Sequence, residues 1–145
     1  MSLFGSLSVS GSGMAAQRAR AELLVENLAN ADTTRTPEGG PYRRKDAVFA
    51  AEPATSPFSS VFANEIGGDG TGVTVAEVIQ DTSAPERRYM PGHPDADAQG
   101  YVAFPHINPA EDMVDLMSAS RGYEANVAAI SAVKDMIEHS IDLLR

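Results

Sequence analysis

The chain has 145 residues, with 20 acidic against 11 basic side chains and a formal net charge of −9 at pH 7. That balance disfavours nucleic acid and anionic membranes as main partners, because both reward clustered Lys and Arg. Cysteine is absent, which excludes disulfides, zinc–thiolate sites, iron–sulfur clusters and thiol nucleophiles together. The first residues, Met1-Ser2-Leu3-Phe4-Gly5-Ser6, have neither a basic start nor a long apolar run, so no cleaved signal peptide is expected.

Residues 3 to about 31 are rich in Ala and Leu and contain no proline. Leu7, Met14, Ala21 and Leu28 recur at seven-residue intervals, with Leu3, Leu24 and Ala31 on a flanking register, which predicts an amphipathic helix. Gly5, Gly11 and Gly13 each cost ~1 kcal/mol relative to Ala, and Ser6, Ser8, Ser10 and Ser12 compete for backbone hydrogen bonds. The helix is therefore expected to be secure from Met14 to Asn30. Its first dozen residues should be helical only where something packs against them.

Residues 32–108 hold all but one of the prolines and most of the glycines. Gly39-Gly40-Pro41 is a turn, and residues 42–49 alternate weakly as a strand. Residues 50–72, with Pro53, Pro57 and Gly67-Gly68-Asp69-Gly70, read as a loop. Val73 to Ile79 is the best strand, and Tyr101 to Phe104 is a short one between a glycine and a proline. Such strands make only a small sheet.

Asn108-Pro109-Ala110-Glu111 announces a second long helix, with Asn as cap, Pro at the first helical position and Glu placed for a capping box. Asp112 and Asp115 favour the same positive dipole end. Met113, Leu116, Ser120, Tyr123, Val127, Ile130, Lys134, Ile137, Ile141 and Leu144 follow alternating steps of three and four. That is a heptad pattern with only Ser120 and Lys134 polar. A second stripe, Val114, Met117, Ala128, Ala132, Val133 and Met136, widens the apolar face beyond a two-helix seam. The N-terminal stretch is electrically neutral (Arg18 and Arg20 against Glu22 and Glu26), so pairing between the ends must rest on apolar contact.

These patterns predict a mainly α, α+β fold. An N-terminal helix over 1–31 and a C-terminal helix over 109–145 pair as an antiparallel coiled coil, and 32–108 forms a small β-rich insertion. Leu7, Met14, Ala21, Leu24 and Leu28 are expected to face Leu116, Tyr123, Val127, Ile130, Ile137, Ile141 and Leu144. Met117, Val133 and Met136 are left for neighbouring subunits.

Few residues offer chemistry. Gly92-His93-Pro94-Asp95-Ala96-Asp97 combines an imidazole with two carboxylates, which suits either a divalent ion or a rigid proline-framed turn. An acidic metal-binding enzyme using His93, Asp95 and Asp97 is the enzymatic alternative. His106 and His139 stand alone. Arg43-Arg44-Lys45 and Arg87-Arg88-Tyr89 read as solvated strand edges or partner contacts, and Gly67–Gly72 lacks the Lys-Ser/Thr of a phosphate loop. No G-x-S-x-G elbow occurs. No catalytic residue, metal or cofactor is assigned. Asn27, Asn30 and Asn126 are amides on apolar helices, placed either for hydrogen bonds between subunits or, more plainly, for capping and solvent.

Asn27-Leu28-Ala29-Asn30-Ala31-Asp32-Thr33-Thr34 resembles the signature closing the first helix of bacterial flagellar rod and hook proteins. Gly40-Pro41-Tyr42-Arg43-Arg44, Pro91-Gly92-His93-Pro94-Asp95-Ala96-Asp97, Gly100-Tyr101-Val102 and the run from Met113 through Arg121, Tyr123, Glu124 and Asn126 to Val127 extend the likeness along the chain, toward the proximal-rod members. Two positions depart from it: Gly122 stands for the usual Ala, and Glu26 where Asn is frequent. The resemblance implies a non-catalytic axial subunit, exported unfolded without a cleaved signal peptide by the flagellar export apparatus and assembled in the periplasmic rod. Its implied partners are further copies of itself and other rod proteins of the FlgB, FlgF, FlgG and FliE types, without nucleic acid or membrane insertion.

Overall fold

A computed structural model describes residues 3–51 and 72–143. They form helix α1 (Leu3–Ala29), strands β1 (Lys45–Ala51), β2 (Val73–Gln80), β3 (Glu86–Tyr89) and β4 (Tyr101–Phe104), and helix α2 (Pro109–Asp142). The expected loop over 50–72 lies outside the described residues save its ends, as does Leu144. No described helix is long and apolar enough to cross a membrane.

Helix α1 runs unbroken through its glycines and serines because other elements cover it. Ser12 shows how: its hydroxyl donates to the Val9 carbonyl at 2.8 Å and accepts the Val73 N–H at 3.0 Å. A residue that would compete with an isolated helix thus ties α1 to the start of β2. Helix α2 begins as its sequence dictates, with Asn108 Oδ1 accepting the Ala110 N–H and Pro109 in the first turn. At 34 residues it is about 51 Å long.

The two helices pack antiparallel. Gly13 lies against Asn126, Gln17 against Gly122, and Arg20 reaches Asp115 at 3.4 Å, so advancing along α1 means retreating along α2. Two of these contacts are reciprocal. A methyl at Gly13 would sit 3.1 Å from the Asn126 amide, and one at Gly122 would sit 3.2 Å from Gln17 Cδ. Each helix therefore seats a side-chain amide on a glycine of the other. Asn126 is held there by donating to the Gly122 carbonyl at 2.9 Å. On this register Leu3 is level with about residue 136, and the last turns of α2 run past the start of α1.

The strands make two separate antiparallel hairpins rather than one sheet. In the first, Lys45 pairs with Gln80 and Ala51 with Val73. Between Val48–Glu77 and Phe49–Val75 the register shifts, leaving Ala76 as an extra residue. The second pairs Glu86 with Phe104 and Tyr89 with Tyr101. Strand β3 has the exposed, mostly charged residues Glu-Arg-Arg-Tyr, of which Arg87-Arg88-Tyr89 read from sequence only as a solvated strand edge or partner contact. Rings hold it instead: Tyr89 meets Tyr101 edge-on at 5.4 Å, Arg87 covers Tyr101 and Arg88 covers Phe104.

The Met90–Gly100 connection closes on itself. Gly100 N–H donates to the Asp97 carbonyl, Met90 N–H to the Gly100 carbonyl, and the Asp97 carboxylate accepts the N–H groups of Gln99 and Tyr101 at 2.9 Å. The Tyr101 and Gln99 amides, together with Arg87, hold the Asp97 carboxyl below its ordinary range. Gly100 has φ +83°, and a methyl there would lie 2.9 Å from the Tyr89 ring. Gly100→Ala should therefore destabilise the protein by about 2 kcal/mol or more, read as a lower urea midpoint. Gly92→Ala, with open space around its Cα, should stay within about 1 kcal/mol of the parent.

Candidate assembly surface

The signature at the end of α1 is a structural joint. Asn27 is fully buried. Its Nδ2 donates to the Lys45 carbonyl at 2.9 Å, while its Oδ1 accepts both the Lys45 N–H at 2.9 Å and the Tyr42 hydroxyl at 3.0 Å. One amide thus closes α1 onto the first residue of β1, a role that neither expectation for Asn27 included. Asn30 donates to the Glu26 carbonyl and accepts the Thr33 hydroxyl, and the Thr33 carbonyl accepts the Tyr42 N–H. Glu26 pairs with Lys45, whose ammonium also lies over the Tyr42 ring.

A second joint was not legible as one. Asp112, on the first turn of α2, is 0% exposed, and its Oδ1 lies 3.0 Å from Arg44 Nη2. Burial pushes this carboxyl above its usual range; Arg44 opposes the shift, while Asp46, Asp115 and Glu111 add to it. The signal that could have revealed it is spacing. Asp112, Ala119, Asn126 and Val133 are seven apart, and all are buried or half-buried.

This row, flanked by half-buried Leu116, Ile130 and Ile137, is the face α2 turns inward. On α1, Ala16, Leu24 and Asn27 are buried, and Gly13, Gln17 and Arg20 are half-buried along with Leu7, Met14, Ala21 and Leu28. Of the expected seam, Leu24 is buried and Leu116, Ile130 and Ile137 are half-buried, whereas three residues of α2 lie outside it. Tyr123, Val127 and Ile141, expected against α1, stand 42%, 45% and 59% exposed. Val133, expected to face outward, is buried, while Met117 and Met136 are exposed as anticipated. Size explains why Tyr123 and Val127 are left out. Glycine, alanine and flat amides let the two backbones approach closely, and the bulkier row is left outside.

The excluded row is continuous. Met113, Met117, Ser120, Glu124 and Val127 follow steps of four and three, with exposed Tyr123 beside them and Ile141 further along. Arg121 is also exposed here. An apolar band of this length on one helix has the character of a contact surface.

The Pro91–Asp97 loop does not converge on a cation. His93 Nδ1 accepts the Asp95 N–H at 3.1 Å, and Asp95 Oδ2 accepts the Thr34 hydroxyl at 2.9 Å, with Arg35 nearby. Asp97 is turned into its own loop and onto Arg87. Pro91 packs toward Gly100, and Gly92 and Pro94 are exposed. Among the described residues no group of three His, Asp or Glu could hold a metal ion. The loop instead docks the second hairpin on the turn after α1.

Asn27→Ala should cost about 3 kcal/mol, because the Lys45 backbone groups and the buried Tyr42 hydroxyl lose their partner; thermal or urea unfolding measures it. Burial, with Glu26 close by, pushes the Tyr42 phenol up to about 12. Its folded value thus lies above the ordinary value of 10, so its contribution is complete below pH 10 and is lost as pH rises through 12. Urea midpoints of the parent should fall across that interval, and Tyr42→Phe should lack this part of the fall.

A family profile described as "Flagellar basal body rod FlgEFG protein C-terminal" matches residues 98–143, the end of the second hairpin and α2. Over its whole length the chain is 40% identical to the flagellar basal-body rod protein FlgC of Borreliella burgdorferi, covering 99% of that protein. It is 41% identical to FlgC of Bacillus subtilis across 99% of both chains, and 39% identical to FlgC of Salmonella typhimurium across 99% of this chain and 98% of the other. With this identity sustained from end to end, the chain belongs to the flagellar basal-body rod protein FlgC family.

Proposed function

We propose that the chain is a structural subunit of the bacterial flagellar rod, which assembles with copies of itself and with other rod proteins into a helical, tubular drive shaft. One observation carries this reading: the exposed apolar band of α2, from Met113 to Val127 with Ile141 beyond, which the chain's own α1 leaves uncovered. Burying such side chains against a neighbour returns ~25 cal/mol per Å² of apolar surface removed from water. A head-to-tail contact that does not close yields a tube rather than a ring.

In this reading residues 1–31 and 109–145 form the axial unit, wound as a coiled coil, and 32–108 form a smaller outer unit. The subunit performs no catalysis and carries no metal or cofactor. It travels unfolded through the flagellar export apparatus without a cleaved signal peptide and takes its place in the periplasm among proteins of the FlgB, FlgF, FlgG and FliE types. A cysteine-free chain suits that route, since no disulfide can form before export.

Val127→Glu puts a charge in the band without touching the α1–α2 seam. The purified variant should match the parent in circular dichroism and melting. When it replaces the parent in a motile host, its recovery in isolated basal bodies should fall at least tenfold and swimming should be lost. Normal incorporation would remove the band from the interface.

A further inference from the structure

Cations in this acidic chain are almost all matched internally. Among the described residues, every Lys and Arg other than Arg43 and Arg121 lies within 4 Å of a carboxylate. Arg43 donates to the Asp81 carbonyl. Arg121 alone among them has neither an ion pair nor a hydrogen bond. Glu124, three residues on and equally exposed, has no partner either. Elsewhere this chain does join exposed charges along a helix, as in Arg18–Glu22 and Lys134–Glu138. Within α2 the order Arg before Glu is the less favourable one for a pair on the same helix, because it opposes the dipole.

The two unmatched charges sit among exposed Met117, Tyr123 and Val127. Tyr, Met and Arg are the residue types enriched where protein surfaces meet. A patch holding one unpaired cation and one unpaired anion, set in apolar surface, is complementary in charge to itself. Resting on the assembly reading above, we propose that Arg121 of one copy pairs with Glu124 of the adjacent copy across neighbouring α2 helices.

Helical geometry makes this contact propagate. Three residues advance about 4.5 Å and turn the side chain by about 60° in net terms, so Arg121 and Glu124 look toward adjoining sides of the helix. Each α2 then presents Glu124 to the neighbour on one side and Arg121 to the neighbour on the other. The contact is heterologous and repeats around a tube without pairing any copy off into a closed dimer.

Charge exchange tests it. Arg121→Glu alone and Glu124→Arg alone each set like charges against each other and should lower recovery in basal bodies at least tenfold. The double variant restores opposite charges at every contact and should return to within about threefold of the parent. Normal incorporation of either single variant overturns the pairing. So does a double variant no better than the singles, which would assign these charges to a different rod protein. Loss in Val127→Glu with normal incorporation of both charge variants would sink this pairing while leaving the assembly reading intact. Normal incorporation of Val127→Glu would count against the assembly reading itself. Should a reversed chain not melt like the parent, single-cysteine chains at 121 and at 124 can be mixed in the cysteine-free background. A short bismaleimide should then yield mixed dimers from assembled rods, and their absence overturns the pairing equally.

Discussion

The close approach of two antiparallel helices governs everything else in this molecule. It requires small or flat groups at the point of contact, and the chain supplies them as Gly13 and Gly122, each covered by an amide from the opposite helix. A seam built this way has dense packing and little breadth. It cannot also admit Met113, Met117, Tyr123 and Val127, so an apolar row stays outside as a direct result of how the inner row is filled. Gly122 belongs to this logic. Its cost in helix propensity is offset by the room it leaves for Gln17.

The joints at the end of α1 convert a pair of helices into a defined three-part object. Asn27 satisfies both backbone groups of Lys45 and the Tyr42 hydroxyl at once, so β1 can start in only one place relative to α1. Arg44, one residue earlier, reaches Asp112 and holds the start of α2 to the same point. A buried ion pair of this kind adds little net stability over an apolar pair, because desolvation offsets its attraction. Its effect is a penalty on any arrangement that separates Arg44 from Asp112. Consecutive residues of one short segment therefore fix where both helices end and begin.

Much of this was legible in the amino-acid order. The second helix was visible from its cap at Asn108 and its long apolar period, and Val73–Ile79 and Tyr101–Phe104 alternate well enough to be read as strands. The choice of inward face was not. Hydrophobicity favoured the row containing Met113, Tyr123 and Val127, but packing chose the row with Asp112, Ala119, Asn126 and Val133, where steric fit outweighed apolar area. Strand β3 was legible only as an exposed edge or contact at residues 87–89, because stacked guanidinium groups and rings, not buried aliphatic residues, hold it. The hydrogen bonds of Asn27 span 15 and 18 residues to Tyr42 and Lys45, a distance at which local spacing carries no information. The unmatched state of Arg121 became apparent only once the other described cations had each found a carboxylate or, for Arg43, a carbonyl in space.

Helix α2 has 34 residues to the 27 of α1, and the register of Gly13 with Asn126 puts that excess at one end. Ile141 and Leu143 therefore project beyond the first described turn of α1, largely wet. A molecule with a greasy tip at one pole and a hydrogen-bonded joint at the other has a front and a back. Stacked head to tail, such bodies all point the same way, so a mismatch in length gives the stack a polarity.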